Sequence, residues 1–152
     1  MKKQHWLVIL LFNSLAIFAQ DKNLNAHLGL ALEGFDAVSY FQNGPERGSE
    51  KYFATHEGIR YLFSSKENLE AFNKAPDRYL PQYGGWCAYA MGLNGEKVTV
   101  DPKTYKIIDG KLYLFYNSLL NNTLKKWNQQ ESELLPSANK NWELLQKQEE
   151  HE

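Results

Sequence analysis

Hydrophobic positions recur along this chain with three rhythms. The first is a nearly continuous run, Trp6–Phe12 and Leu15–Ala19, preceded by Lys2 and Lys3 and broken only by Asn13 and Ser14. Residues 20–30 are then largely polar and read as a leader. The second rhythm is β-like. Lys51-Tyr52-Phe53-Ala54-Thr55 and Ile59-Arg60-Tyr61-Leu62-Phe63 flank His56-Glu57-Gly58, and Tyr105-Lys106-Ile107-Ile108 and Lys111-Leu112-Tyr113-Leu114-Phe115-Tyr116 flank Asp109-Gly110. Aromatic and β-branched residues on either side of a glycine-bearing turn predict two hairpins. Gly34–Phe41 reads as a loop entering a short strand, closed by Asn43-Gly44-Pro45.

The third rhythm is helical. Ser64 or Ser65 predicts the cap of a helix with Leu69 and Phe72 on one face, running to about Lys74 before Pro76 stops it. A short helix is expected from Gly85 to about Leu93, ended by Asn94-Gly95. Leu119, Leu120, Thr123, Leu124 and Trp127 recur at helical spacing, and Trp142, Leu144 and Leu145 do so after Pro136-Ser137, so two C-terminal helices are expected. No repeat or low-complexity linker divides the chain. The expectation is one small α+β domain of hairpins and short helices over residues 31–117, a helical extension over 118–148 and a fraying tail over 149–152.

The opening run has the basic and apolar regions of a signal peptide, with cleavage expected after Ala19. It is too short, and too polar in its middle, to suit the roughly 20 apolar residues of a bilayer-spanning helix. The expected destination is periplasmic or secreted, with no transmembrane segment in the mature chain. No cysteine follows the apolar run, which argues against a lipid anchor there. The charge balance, 17 Lys and Arg against 18 Asp and Glu without a basic stripe, argues against nucleic acid as a partner. Phe, Trp and Tyr make up 14% of the chain, which suits a small core that needs large buried areas per residue.

The chain has one cysteine, Cys87, in Tyr83-Gly84-Gly85-Trp86-Cys87-Ala88-Tyr89-Ala90-Met91. An exported lone thiol is a buried filler, a metal ligand or a redox group. In the first turn of the expected helix its thiolate would be favoured. Met91, four residues on, would bring a second sulfur to the same face, a pair suited to Cu(I). His56, at the expected hairpin turn, is a further candidate ligand. Filling the core between aromatic neighbours is the alternative for both sulfur side chains. His5, His27 and His151 have no motif around them.

The motifs Gly34-Phe35-Asp36-Ala37-Val38-Ser39-Tyr40-Phe41, Tyr61–Phe72 with Pro76 and Tyr79, Tyr83-Gly84-Gly85-Trp86-Cys87-Ala88 and Asp109-Gly110-Lys111-Leu112-Tyr113-Leu114 stand in fixed order. Together they resemble the YHS domain, in particular the exported YHS domain-containing (seleno)protein branch, over Gly34–Asn117. The resemblance implies a transition-metal or redox context, since other YHS domains occur in heavy-metal transporters and metal-dependent oxygenases. Their metal-binding cysteines fall here at Ser64 and Asn68, poor ligands for soft metals, so that site does not carry over. Asp36, Tyr40, Tyr83 and Trp86 lie within the motifs and are expected to line a site. A hydrogen bond from Tyr40 or Tyr83 to Asp36 would be structural.

Three functions follow as expectations. The first is a transition-metal module, copper before zinc or iron, centred on Cys87 with Met91 or His56 assisting. The second is a redox thiol at Cys87, resolved by an external thiol. The third is a non-catalytic structural or protein-interaction domain that meets a partner protein.

Overall fold

The computed structural model of the protein describes residues 23–149; the expected signal peptide and residues 150–152 lie outside the described residues. Two-residue turns organise the sheets. β1 (Ala26–His27) and β2 (Leu30–Ala31) join through Leu28-Gly29. β3 (Ser49–His56) and β4 (Ile59–Phe63) join through Glu57-Gly58, and β5 (Asp101–Ile108) and β6 (Lys111–Phe115) through Asp109-Gly110. In all three turns both residues have positive φ, the conformation that matches the twist of tightly paired strands. The first sheet runs β1-β2-β4-β3, with β2 parallel to β4 and the other pairs antiparallel; β5 and β6 form a separate antiparallel pair.

The first helix, α1 (Lys66–Lys74), begins where the sequence indicates, with the Ser65 hydroxyl accepting the Asn68 N–H at 3.1 Å. A short helix, α2 (Ala88–Asn94), follows, and the chain ends in α3 (Thr123–Glu149). The mixed architecture with its C-terminal helix is the expected α+β class.

Four segments differ from expectation. The supposed leader is part of the fold from Asn23 onward. The Asn25 N–H binds the Gly84 carbonyl at 2.8 Å, Leu24 and Ala26 pack against the core, and β1 pairs with β2. Its polar side chains concealed a backbone that pairs. Residues 32–41 carry two 3-10 turns, Leu32–Gly34 and Ser39–Phe41, and before the second the Asp36 carboxylate takes the Val38 N–H and bends the chain where a strand was expected. The two expected C-terminal helices are joined within α3, but they meet at a break at Gln130 (φ −136°), and Pro136 lies inside the second of them. Packing of Leu134 and Ala138 into the core holds the proline-bearing stretch helical. Leu119 and Leu120 lie outside that helix. They are the turn of a small hairpin, β7 (Asn117–Ser118) and β8 (Asn121–Asn122).

Strand β6 divides the interior. Leu112 and Leu114 enter one core with Phe63, Phe72, Ile59 and Tyr40, while Tyr113 and Phe115 enter a second with Met91, Trp127, Leu134 and Ala138. The alternation of side chains along a strand produces this split. Residues 81–87 run parallel alongside β6, with Pro81 opposite Leu112 and Cys87 opposite Leu114. Helix α2 packs closely on α3: a side chain at Gly92 would meet the Leu134 carbonyl at 2.8 Å, and Ser137 and Asn141 hydrogen-bond the Gly92 and Met91 carbonyls.

Helix α3 is also pinned to β5. The Glu131 carboxylate accepts hydrogen bonds from Lys106 and from the Trp127 indole, which hold it below its ordinary carboxylate value of 4.5. The folded state thus binds this proton less readily than the unfolded chain, and stability rises with pH. The contribution is expected to be fully present above about pH 4.5 and to fade as pH falls through the lower folded value. Glu131→Gln flattens that part of the acid limb when urea midpoints are measured against pH.

Candidate functional site

Cys87 immediately precedes α2, with its N–H bonded to the Val98 carbonyl at 2.9 Å. Its side chain is fully buried. The sulfur accepts the Tyr116 N–H at 3.3 Å and lies 3.4 Å from the Thr123 hydroxyl. That hydroxyl donates its hydrogen to the Tyr116 carbonyl at 2.8 Å, leaving its oxygen to accept from the thiol. Sulfur, hydroxyl and peptide thus form a closed set of hydrogen bonds at the base of the β7–β8 hairpin. Above them opens a cleft of about 300 Å³, walled by Tyr89, Leu93, Val98, Tyr116 and Asn121. Expected within the first turn of a helix, Cys87 instead flanks a helix of only seven residues, because left-handed turn geometry occupies residues 83–85.

The expected assisting ligands have other surroundings. Met91 reaches back to Cys87 through its backbone, N–H to carbonyl at 3.0 Å, while its side chain is fully buried in the core beside Trp127. His56 ends β3, and its ring stands edge-on to Tyr61 and Phe72 in the other core, with centroids 6.5 and 6.0 Å away. Among the described residues, no three His, Cys, Asp or Glu side chains converge to hold a metal.

Asp36 is fully buried and nucleates a second polar cluster. One carboxylate oxygen accepts the Val38 and Ser39 N–H groups at 2.8 and 3.3 Å. The other accepts the Ser64 N–H at 2.8 Å, the Ser64 hydroxyl at 2.7 Å and the Asn68 amide at 2.6 Å. Ser64 and Asn68, where the resemblance would put metal-binding cysteines, are therefore donors to a carboxylate. Neither Tyr40 nor Tyr83 bonds Asp36: the Tyr40 hydroxyl donates to the Pro102 carbonyl at 2.7 Å and the Tyr83 hydroxyl to Asn139 at 2.8 Å. Burial pushes both phenols well above their ordinary range.

Trp86 donates its indole N–H to the Asn23 carbonyl at 2.7 Å and lines a cleft of about 400 Å³ with Leu32, Glu33, Val100 and Pro102. Two unusual turns border this cleft. Leu32-Glu33-Gly34 and Tyr83-Gly84-Gly85 each place three successive residues at positive φ. Each non-glycine member costs about 1–2 kcal/mol, so the surrounding packing must impose the geometry. Gly84 is obligatory here, since a Cβ would collide with the Asn23 carbonyl. Paired glycines signal the second turn in the sequence. Only Gly34 hints at the first.

No family model, curated protein or solved structure matches this chain.

The carboxylate cluster generates a prediction. Asp36→Ala leaves buried donors of Ser64 and Asn68 unpaired and is expected to destabilise the protein by about 3 kcal/mol. Asp36→Asn does not rescue, because it turns a donor toward other donors. Chemical denaturation of the two variants checks both outcomes.

Proposed function

We propose that the protein is an exported YHS-type module that acts without catalysis, through its surface, with Cys87 as an internal structural post. The observation that carries this reading is the closed hydrogen bonding of a fully buried thiol: Tyr116 N–H in, Thr123 hydroxyl beside it, and no imidazole or carboxylate among these partners. A transition metal does not fit this donor set. Met91 serves the Trp127 core and His56 stands edge-on against Tyr61 and Phe72 in the other core, so Cys87 would have to leave its own partners to ligate anything. A redox thiol needs an exposed, attackable sulfur, and this one is covered.

What Cys87 does instead is fix the hairpin that follows β6. The sulfur holds Tyr116, and the Tyr116 carbonyl holds both the N–H and the hydroxyl of Thr123, at 3.0 and 2.8 Å. The two ends of the β7–β8 excursion are thus tied at one place. The expected signal peptide and the resemblance to exported YHS proteins supply the export and the family in this reading, while the metal or redox context that the resemblance implies is what the buried thiol argues against.

The expected result is a folded protein whose thiol resists Ellman's reagent and reacts stoichiometrically once denatured, and that fails to withdraw Cu(I) from a chelator. Rapid reaction of the native thiol overturns the reading, as does Cu(I) uptake that Cys87→Ser abolishes.

A further inference from the structure

Stretches of chain far apart in sequence close around a small cleft where the two cores meet. Leu24 and Leu80 bring one core to it, Tyr83 and Trp142 bring the other, and its volume is about 260 Å³. Junctions between packed units are common sites for small molecules. One wall depends on a missing side chain: a Cβ on Gly84 would come within 3.1 Å of the Trp142 ring and would collide with the Asn23 carbonyl. Trp142 stands edge-on to Tyr83, with ring centroids 6.3 Å apart.

The cleft contains a polar group with nothing to bond. Tyr61 is only 4% exposed and its ring is fixed in the Phe72 core, 5.0 Å from Phe72 and 6.5 Å from His56, yet its hydroxyl has no hydrogen-bond partner among the described residues. Tyr40 and Tyr83, buried to the same degree, donate theirs to Pro102 and Asn139. Glu57 marks the side on which the Tyr61 hydroxyl lies. Burial first and the Glu57 charge second raise the phenol well above its ordinary range, and both residues line the cleft. The phenol therefore stays protonated at neutral pH and offers an O–H together with its lone pairs.

Glu57 gives the cleft its sign. Among the described residues that line it, Glu57 alone carries a formal charge, and no ion pair neutralises that carboxylate. Its place in the turn, with φ at 50°, is one that Asn, Asp or Gly takes more readily. Gln82 and Gln146 add amides to the lining. Aromatic rings, a neutral hydroxyl and one unpaired carboxylate, with no Lys, Arg or His among them, suit a small organic cation and turn away anions. A neutral polyol would use the rings and amides but leave the carboxylate without an opposite charge.

We infer that this cleft is a binding site for a small organic cation, a primary ammonium on an apolar body, with the ammonium taken by Glu57 and the Tyr61 hydroxyl and the body lying against Trp142. The site goes beyond the surface-module reading above. It uses neither Cys87 nor the partners of Cys87, so the thiol assay and the binding test can fail separately.

Benzylamine is the probe, with benzyl alcohol and benzoate as neutral and anionic molecules of similar shape. Two-dimensional NMR of the isotope-labelled protein at neutral pH is expected to show saturable shifts at the Glu57, Gln82 and Gly84 amides and the Trp142 indole with benzylamine, and none of comparable size with the other two. Glu57→Gln is expected to weaken benzylamine binding by about tenfold or more and to remove its salt dependence, and Tyr61→Phe to weaken it by about threefold to tenfold. The Tyr61 hydroxyl holds nothing inside the protein, so Tyr61→Phe leaves the urea midpoint unchanged and separates lost binding from lost fold. Glu50→Gln removes a carboxylate that pairs with Arg60 elsewhere on the sheet and leaves binding intact.

A benzylamine titration that stays linear to tens of millimolar overturns the proposal. So does binding indifferent to Glu57→Gln, equal binding of benzyl alcohol, or a methyl glucoside bound in the amine's place. A fall in the urea midpoint of Tyr61→Phe overturns it as well, because the hydroxyl would then have a partner within the fold.

Discussion

Strand β6 has no face available to water, and most of the architecture follows from that. Leu112 and Leu114 belong to one core and Tyr113 and Phe115 to the other, and all four are buried. Each face demands its own cover. The β1-β2-β4-β3 sheet with α1 supplies one, and α2 with α3 supplies the other. Burial of side chains of this size is favourable by roughly 1.5–3 kcal/mol each, so losing either cover would expose more than such a small domain can tolerate. The helical extension is therefore the second half of the core, with Trp127 fully buried against Phe115 and Tyr113.

A doubly buried strand also forces polar accounting on its neighbours. Segment 81–87 lies along β6 and must satisfy its backbone groups while turning through Tyr83-Gly84-Gly85. It does so with help from residues 23–25: Asn25 binds the Gly84 carbonyl through its backbone and the Gly85 carbonyl through its side chain. The price of this route is left-handed geometry at Tyr83. At the far end the Cys87 sulfur takes the Tyr116 N–H, the first residue past β6, so a soft acceptor replaces the carbonyl that a regular sheet would offer. Asp36 plays the corresponding part in the other core, gathering donors from its own turn and from the cap of α1. Buried polar groups of this kind are costly when incomplete and rigid when complete.

Rigidity at the base of a hairpin has consequences at its tip. Tyr116 and Thr123 are fixed to each other and to Cys87, so the six residues between them have little choice of direction. Leu119 and Leu120 at that tip face solvent although the base beneath them is tied by these hydrogen bonds. Surface and interior are in this way connected through one sulfur atom.

The local elements were legible in the sequence because local forces make them. Asp109-Gly110 and Glu57-Gly58 dictate tight turns wherever strand-forming residues flank them, and Ser65, Leu69, Phe72 and Pro76 mark a helix by capping, periodicity and arrest. The α+β class followed from those alone. The tertiary structure decided what depends on residues distant in the chain. It set the Ala26–Ala31 hairpin into the sheet, carried α3 through Pro136 and moved its break to Gln130, and turned Leu119 and Leu120 out of a helical pattern into a hairpin. Of the candidate site, the sequence marked Cys87 as singular but not what would surround it, since its partners Tyr116 and Thr123 lie 29 and 36 residues away. A periodicity reports which face of an element is apolar. Which other element covers that face, and whether a buried group finds its donor, is settled only when the chain closes on itself.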